Sequence, residues 1–278
     1  MSRDVLTRPA APPDHTATYG PDPDQIVDIW RPRHSATDLG GTGPGAPLAV
    51  VIHGGFWRAE YDRIHSRPMA DALADAGYAV AVPEYRRAGS PGGGGWPGTF
   101  DDIAAVLDAV GALAAPFGAD PARTGWVGHS AGGHLALWAA ARHRLPAGSP
   151  WRTDRPAAAG VVSLAGCTSL ALSHAWGEGG GAAANLLGGS PERFPERYAA
   201  ADPAALLPSG AEVVLVHGTQ DQQVRLEMSR QYAKMAGEAG DTVTYVELPG
   251  SDHFDLIDPL SAAWPSVLDA IASVVPGR

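Results

Sequence analysis

"GWVGHSAGGHLALWAA", residues 125–140, sets one small polar side chain between two glycines at the junction of a β-rich run and an apolar one. The apolar run is hydrophobic nearly all round, which predicts a buried helix. Strand, sharp turn and helix put Ser130 at a helix amino terminus, where free N–H groups and the dipole favour negative charge. Gly128 and Gly132 carry no side chains, so strand and helix can approach closely there. A turn this tight strains the serine backbone and holds its hydroxyl above the sheet. With 35 glycines in 278 residues the bare G-x-S-x-G spacing is a weak signal. Its place at a strand–helix junction gives it weight.

Outward from Ser130, short apolar runs recur at 48–52, 79–82, 124–127, 160–164, 212–216 and 242–248. They are continuous rather than alternating, as in parallel strands covered on both faces. Between them, 100–113 and 260–275 carry apolar residues at three- and four-residue spacing, the stripe of an amphipathic helix. The alternation predicts one α/β domain over 1–278, a mostly parallel central sheet flanked by helices. An irregular amino-terminal arm is expected over 1–47, with one short strand in "QIVDIW", and "GSPGGGG" at 89–95 reads as a mobile loop. The Gly-, Ala- and Pro-rich stretch 168–208 reads as a short cap insertion.

Composition narrows the function classes. Acids outnumber bases 30 to 20, a formal charge of −10, which argues against a nucleic-acid partner. No apolar run reaches the length of a membrane helix, and residues 1–16 lack the apolar centre of a signal peptide, so a cytoplasmic setting is expected. The single cysteine, Cys167, follows a strand and reads as a small buried hydrophobe. His129 and His134 stand five apart without a metal-site pattern, and no metal is expected. "GGGG" at 92–95 lacks the Gly-Lys-Ser/Thr of a phosphate loop.

In a parallel α/β sheet, chemistry gathers at the carboxyl ends of the strands. A serine nucleophile needs a base, and the base a third group to hold it. Asp221 follows the strand ending "VHG", and His253 follows the strand ending "ELPG", in the order Ser, Asp, His. His217, in or at the tip of its strand, reads as a packed residue; Asp252, Asp255 and Asp258 remain alternatives beside His253. "HGGFW" at 53–57 ends an early strand and could offer backbone N–H donors to a developing oxyanion from Gly55 and Phe56, with Ala131 as partner. Arg86, Arg87 and Asp102 read as a structural ion-pair group.

Four motifs in order, "HGGFW", "GHSAGGHLA", "HGTQDQQV" and "GSDHFDLID", make residues ~48–275 resemble the α/β-hydrolase superfamily. The finer likeness is to the kynurenine formamidase (arylformamidase) and esterase branch, which has tyrosine where this chain has Phe56. The resemblance implies Ser130, Asp221 and His253 as a triad, Gly55, Phe56 and Ala131 as oxyanion donors, and cleavage of a small ester or aryl-formamide through an acyl-enzyme. No cofactor is implied; water is the second acceptor. Trp57, Trp96 and Trp176 suggest an aromatic-walled substrate cleft. The expected partner is a small-molecule substrate, with the chain a monomer or homo-dimer. The alternatives are a peptidase of the same fold and a non-catalytic binding protein on a hydrolase scaffold.

Overall fold

The protein is described by a computed structural model covering residues 3–33, 45–154 and 158–275. A 3₁₀ turn at Asp4–Thr7 precedes β1 (His15–Thr18), β2 (Ile26–Trp30) and β3 (Ala46–Ile52). Then come α1 (Arg67–Asp75), β4 (Ala79–Pro83), α2 (Gly98–Ala114), β5 (Ala119–His129), α3 (Ala131–Ala140) and β6 (Gly160–Leu164). Three short helices follow, α4 (Leu170–Ala175), α5 (Ala182–Leu187) and α6 (Pro195–Ala201). The chain closes with β7 (Glu212–Gly218), α7 (Leu226–Ala239), β8 (Val243–Leu248) and α8 (Trp264–Val274).

All eight strands form one sheet in the order β1-β2-β4-β3-β5-β6-β7-β8. The β1–β2 and β2–β4 pairs are antiparallel, and every later pair is parallel. In β3 the side chains of Leu48, Val50 and Ile52 enter one apolar layer while Ala49 and Val51 enter the other. Both faces are therefore dry, which is why these strands read as unbroken apolar runs. α2, α3 and α7 cover the first face, and α1 and α8 cover the second. Each large side chain buried this way contributes about 1.5–3 kcal/mol. Helix α3 is buried along its whole length, so it is the inner helix of its layer.

The flanks hold more order than the sequence suggests. Beside the expected strand β2 the arm carries a second, β1, paired with it (His15↔Ile29 to Thr18↔Ile26). β1 is a polar, mostly exposed edge strand, so it carries no apolar signal. Residues 34–44 of the arm lie outside the described residues. The loop at 89–95 is held by Arg86, whose Nη1 donates to the Gly92 carbonyl at 2.9 Å. Residues 168–208, the expected cap insertion, carry α4, α5 and α6, and Leu170, Ala183 and Leu186 join the core layer formed by α2 and α3.

Candidate active site

The turn from β5 to α3 has the strain its sequence implies. Ser130 sits at φ +54° and ψ −117°, a backbone conformation L-residues rarely adopt. A Cβ placed on Gly132 would lie 2.6 Å from the Ile52 carbonyl carbon and 2.7 Å from the His53 oxygen. One placed on Gly128 would lie 2.6 Å from the Gly133 nitrogen. Any side chain at either position would push α3 off the strand ends. The Ser130 N–H donates to the Leu164 carbonyl at 2.9 Å, tying the turn to β6.

His253 and Asp221 come together after β8 and β7. His253 Nδ1 lies 2.6 Å from Asp221 Oδ2. A carboxylate only accepts, so Nδ1 carries the proton and Nε2 keeps its lone pair. Asp221 Oδ1 accepts from the N–H groups of Gln223 (2.7 Å) and Val224 (3.0 Å). Its Oδ2 also faces His217 Nε2 at 3.2 Å. Burial pushes this carboxyl up, but the hydrogen bonds from His217 and His253 outweigh it and hold the group well below the usual carboxylate range.

His217 is packed, as its sequence position suggests, yet it also holds Asp221. It is fully buried, and its Nε2 faces two acceptors, the Val224 carbonyl at 3.1 Å and Asp221. Nε2 therefore carries the proton, and Nδ1 accepts from the Ser229 hydroxyl at 2.7 Å. Asp252, one of the alternatives beside His253, accepts from the N–H groups of Phe254 and Asp255 at 2.8 and 3.1 Å. Asp255 Oδ2 returns the favour, accepting from Asp252 N–H at 2.7 Å, and Asp258 pairs with Arg8.

Ser130 and His253 line one cavity of about 60 Å³. Gly55, Phe56, Tyr61, Phe254, Leu6 and Arg3 line it with them. Gly55, Phe56 and Trp57 all have positive φ, at +114°, +52° and +56°, so this segment makes a tight turn off the end of β3. Ala131 opens α3, where the first N–H groups have no partner within the helix. His53, at the head of the turn, is fully buried, with Nδ1 2.8 Å from the Gly54 carbonyl and Nε2 2.8 Å from Glu84 Oε1.

Two further histidines in the wall carried no catalytic signal in the sequence. His129 packs against His253 with the rings tilted by 49° and their centroids 4.5 Å apart, and its Nε2 donates to the His253 carbonyl at 3.0 Å. Burial, and then its neighbour His253, keep it neutral far below the ordinary histidine range. Burial pushes His65 down to about 3. Tyr61 and Gln223 also reach the cavity; their loops show no periodicity that would single them out.

The tryptophans do not wall this cavity, which corrects the expected cleft. Trp57 is fully buried and donates to His134 Nδ1 at 3.2 Å. Trp96 packs edge-on against Trp151 and Phe100. Trp176 lines a neighbouring polar groove with Glu178, Gln222 and Arg225. Aromatic residues near strand ends are as useful for packing the helix layer as for meeting a ligand. Of the expected ion pairs, Arg86–Asp102 forms at 2.7 Å, whereas Arg87 turns to Asp24 at 3.0 Å. Cys167 is fully buried, and burial raises its thiol well above the ordinary range. No helix among the described residues is long and apolar enough to cross a membrane.

Known proteins match this chain closely in outline. Esterase LipC of Mycobacterium tuberculosis is 27% identical over 250 residues, covering 86% of this chain and 59% of LipC. Esterase LipQ of the same organism is 29% identical over 255 residues, covering 86% of this chain and 56% of LipQ. The chain thus spans a little over half the length of these curated relatives. A solved truncated carbohydrate esterase from gut microbiota superposes with TM-score 0.77 at 20% identity, covering 95% of this chain and 99% of that one. Esterase 2 of Thermogutta terrifontis superposes at 0.69 with 21% identity, covering 93% and 92%. At such identities the superpositions speak for the fold, an α/β fold with a mostly parallel sheet shared with esterases. The BD-FAE family profile matches residues 28–235, three-quarters of the sequence, and the chain belongs to that family.

Proposed function

We infer that the protein is a carboxylesterase-type serine hydrolase acting on small acyl esters. The observation that carries this reading is the 2.6 Å contact between His253 and Asp221, with His253 and the strained Ser130 lining one cavity. In this mechanism Ser130 Oγ attacks the ester carbonyl and passes its proton to His253 Nε2. Asp221 stabilises the imidazolium it already orients. The oxyanion accepts hydrogen bonds from the N–H groups of Ala131 and of the Gly55–Phe56 turn. Collapse expels the alcohol, which takes the proton from His253. Water then repeats the sequence and frees the acid. The similarity to LipC and LipQ, both named esterases, supports the reaction class.

A cavity of about 60 Å³ holds only a few water-sized volumes, which favours a short acyl group. Aryl-formamide cleavage is a second reading of the same site. It is favoured by the aromatic rings of Phe56, Tyr61 and Phe254 in the wall, since formyl is the smallest acyl group. A panel of p-nitrophenyl acetate, a long-chain p-nitrophenyl ester, N-formylkynurenine and a peptide amide discriminates among these. Turnover of the acetate that vanishes in Ser130→Ala is expected. A folded wild type that neither turns over any member nor takes a fluorophosphonate label would reject the hydrolase reading in favour of a binding protein.

A further inference from the structure

The amino-terminal turn is built into the active-site wall. Val5 is 1% exposed, and Leu6 packs against the apolar layer that also carries Phe254 and Leu256. Arg8 forms a two-pronged pair with Asp258, one prong at 2.9 Å. Anchored in this way, the turn holds Arg3 at the cavity rim, its guanidinium carbon 5.5 Å from the Phe254 ring centre. Arg3 is solvent-exposed and lines the same cavity as Ser130 and His253. Among the described residues no acidic side chain pairs with it, Asp258 being taken by Arg8.

The rest of the cavity adds no opposing negative charge. His65 and His129 are held neutral, and Asp221 lies buried behind His253 with its oxygens already accepting four hydrogen-bond donors. A lone guanidinium, backbone donors and a helix amino terminus around one small space create a field that favours an anion. Orientation follows from the chemistry. His253 delivers its proton to the departing alcohol, and Phe254, the residue after it, carries Arg3. By this contact with Phe254, Arg3 falls on the leaving-group side.

Resting on the esterase reading, we propose that Arg3 is a specificity-determining residue selecting esters whose alcohol portion bears a carboxylate. The planar fork of a guanidinium matches a carboxylate.

The test compares 4-acetoxybenzoate with 4-acetoxybenzamide, aryl acetates of nearly equal size that differ in charge. In the wild type, kcat/KM for the benzoate is expected to exceed that for the benzamide by about fivefold or more, chiefly through KM. In Arg3→Gln the ratio falls toward one with an unchanged unfolding temperature, and in Arg3→Lys part of it returns. Raising salt to about 0.5 M shrinks the wild-type ratio. A wild-type ratio near one, or a ratio that Arg3→Gln leaves intact, overturns the proposal while p-nitrophenyl acetate turnover keeps the esterase reading standing. No turnover of any of the three esters, with no fluorophosphonate labelling, overturns that reading and this proposal with it.

Discussion

Gly132→Ala adds one methyl group at the point where α3 meets the end of β3. That methyl would lie 2.6 Å from the Ile52 carbonyl carbon, 2.7 Å from the His53 oxygen and closer still to the Ile52 oxygen. All are backbone atoms that no rotamer change can move aside. Ordinary contact begins at 3.4 Å and the Ile52 oxygen is the nearest atom, so the helix must retreat by more than an ångström. The retreat carries Ser130 and the Ala131 N–H away from the Gly55–Phe56 turn, which hangs from β3. Misplacement of about an ångström costs about 100-fold in rate. Overpacking of this kind costs about 1–3 kcal/mol, or roughly 2–4 °C of unfolding temperature per kcal/mol. The assay is kcat/KM for p-nitrophenyl acetate beside thermal unfolding. Gly237→Ala is the control: it lies within α7 with no atom within 4 Å of the added carbon. It should gain about 0.5–1 kcal/mol and keep full activity. A Gly132→Ala enzyme within about threefold of wild-type activity and unchanged in unfolding temperature would refute the close-approach argument.

Other substitutions probe separate parts of the site. In Asp221→Asn the two backbone N–H groups hold the amide oxygen at the Oδ1 position, so the NH₂ meets His253 Nδ1 and forces the wrong tautomer. A fall in kcat of about 10³–10⁴ is expected, and near-normal turnover would remove Asp221 from the triad. Trp57→Phe loses the bond to His134 and should cost about 1–2 kcal/mol in urea unfolding while KM stays within about twofold; a large rise in KM would return Trp57 to the substrate cleft. Burial depresses His134 to about 4 in the folded protein. The unfolded chain takes up that proton near pH 6.5, so the folded state loses stability as pH falls from about 6.5 to 4 and is unaffected above it. His134 accounts for about 3 kcal/mol of this loss in order of magnitude, read from urea midpoints as the part that His134→Gln removes, because buried His65 and His129 titrate over the same window; a variant whose midpoint falls as steeply as the wild type's would contradict it.

Much of this site is legible in the chain because its residues are local to strand ends. Ser130 between two glycines, Asp221 after "VHG" and His253 after "ELPG" each sit where a parallel strand stops, so apolar runs locate them. Gly160–Leu164 emerges as a strand with the same bounds for the same reason. β1 escapes notice because a polar, mostly exposed edge strand has no apolar face, and α1 because its amphipathic stripe is only nine residues long. The tryptophans mislead because a strand-end position does not tell which way a ring turns.

The order of apolar runs and the spacing of glycines were enough to determine the layered α/β architecture and the three polar side chains at its strand ends. Both follow from local rules of backbone sterics and burial period. Which other groups share the cavity was decided only by tertiary structure. Arg3 meets Phe254 across 251 positions of sequence, and His217 turns inward to hold Asp221 beside Ser229. Contacts of that kind arise from how packed layers fit together, and no periodicity along the chain encodes them.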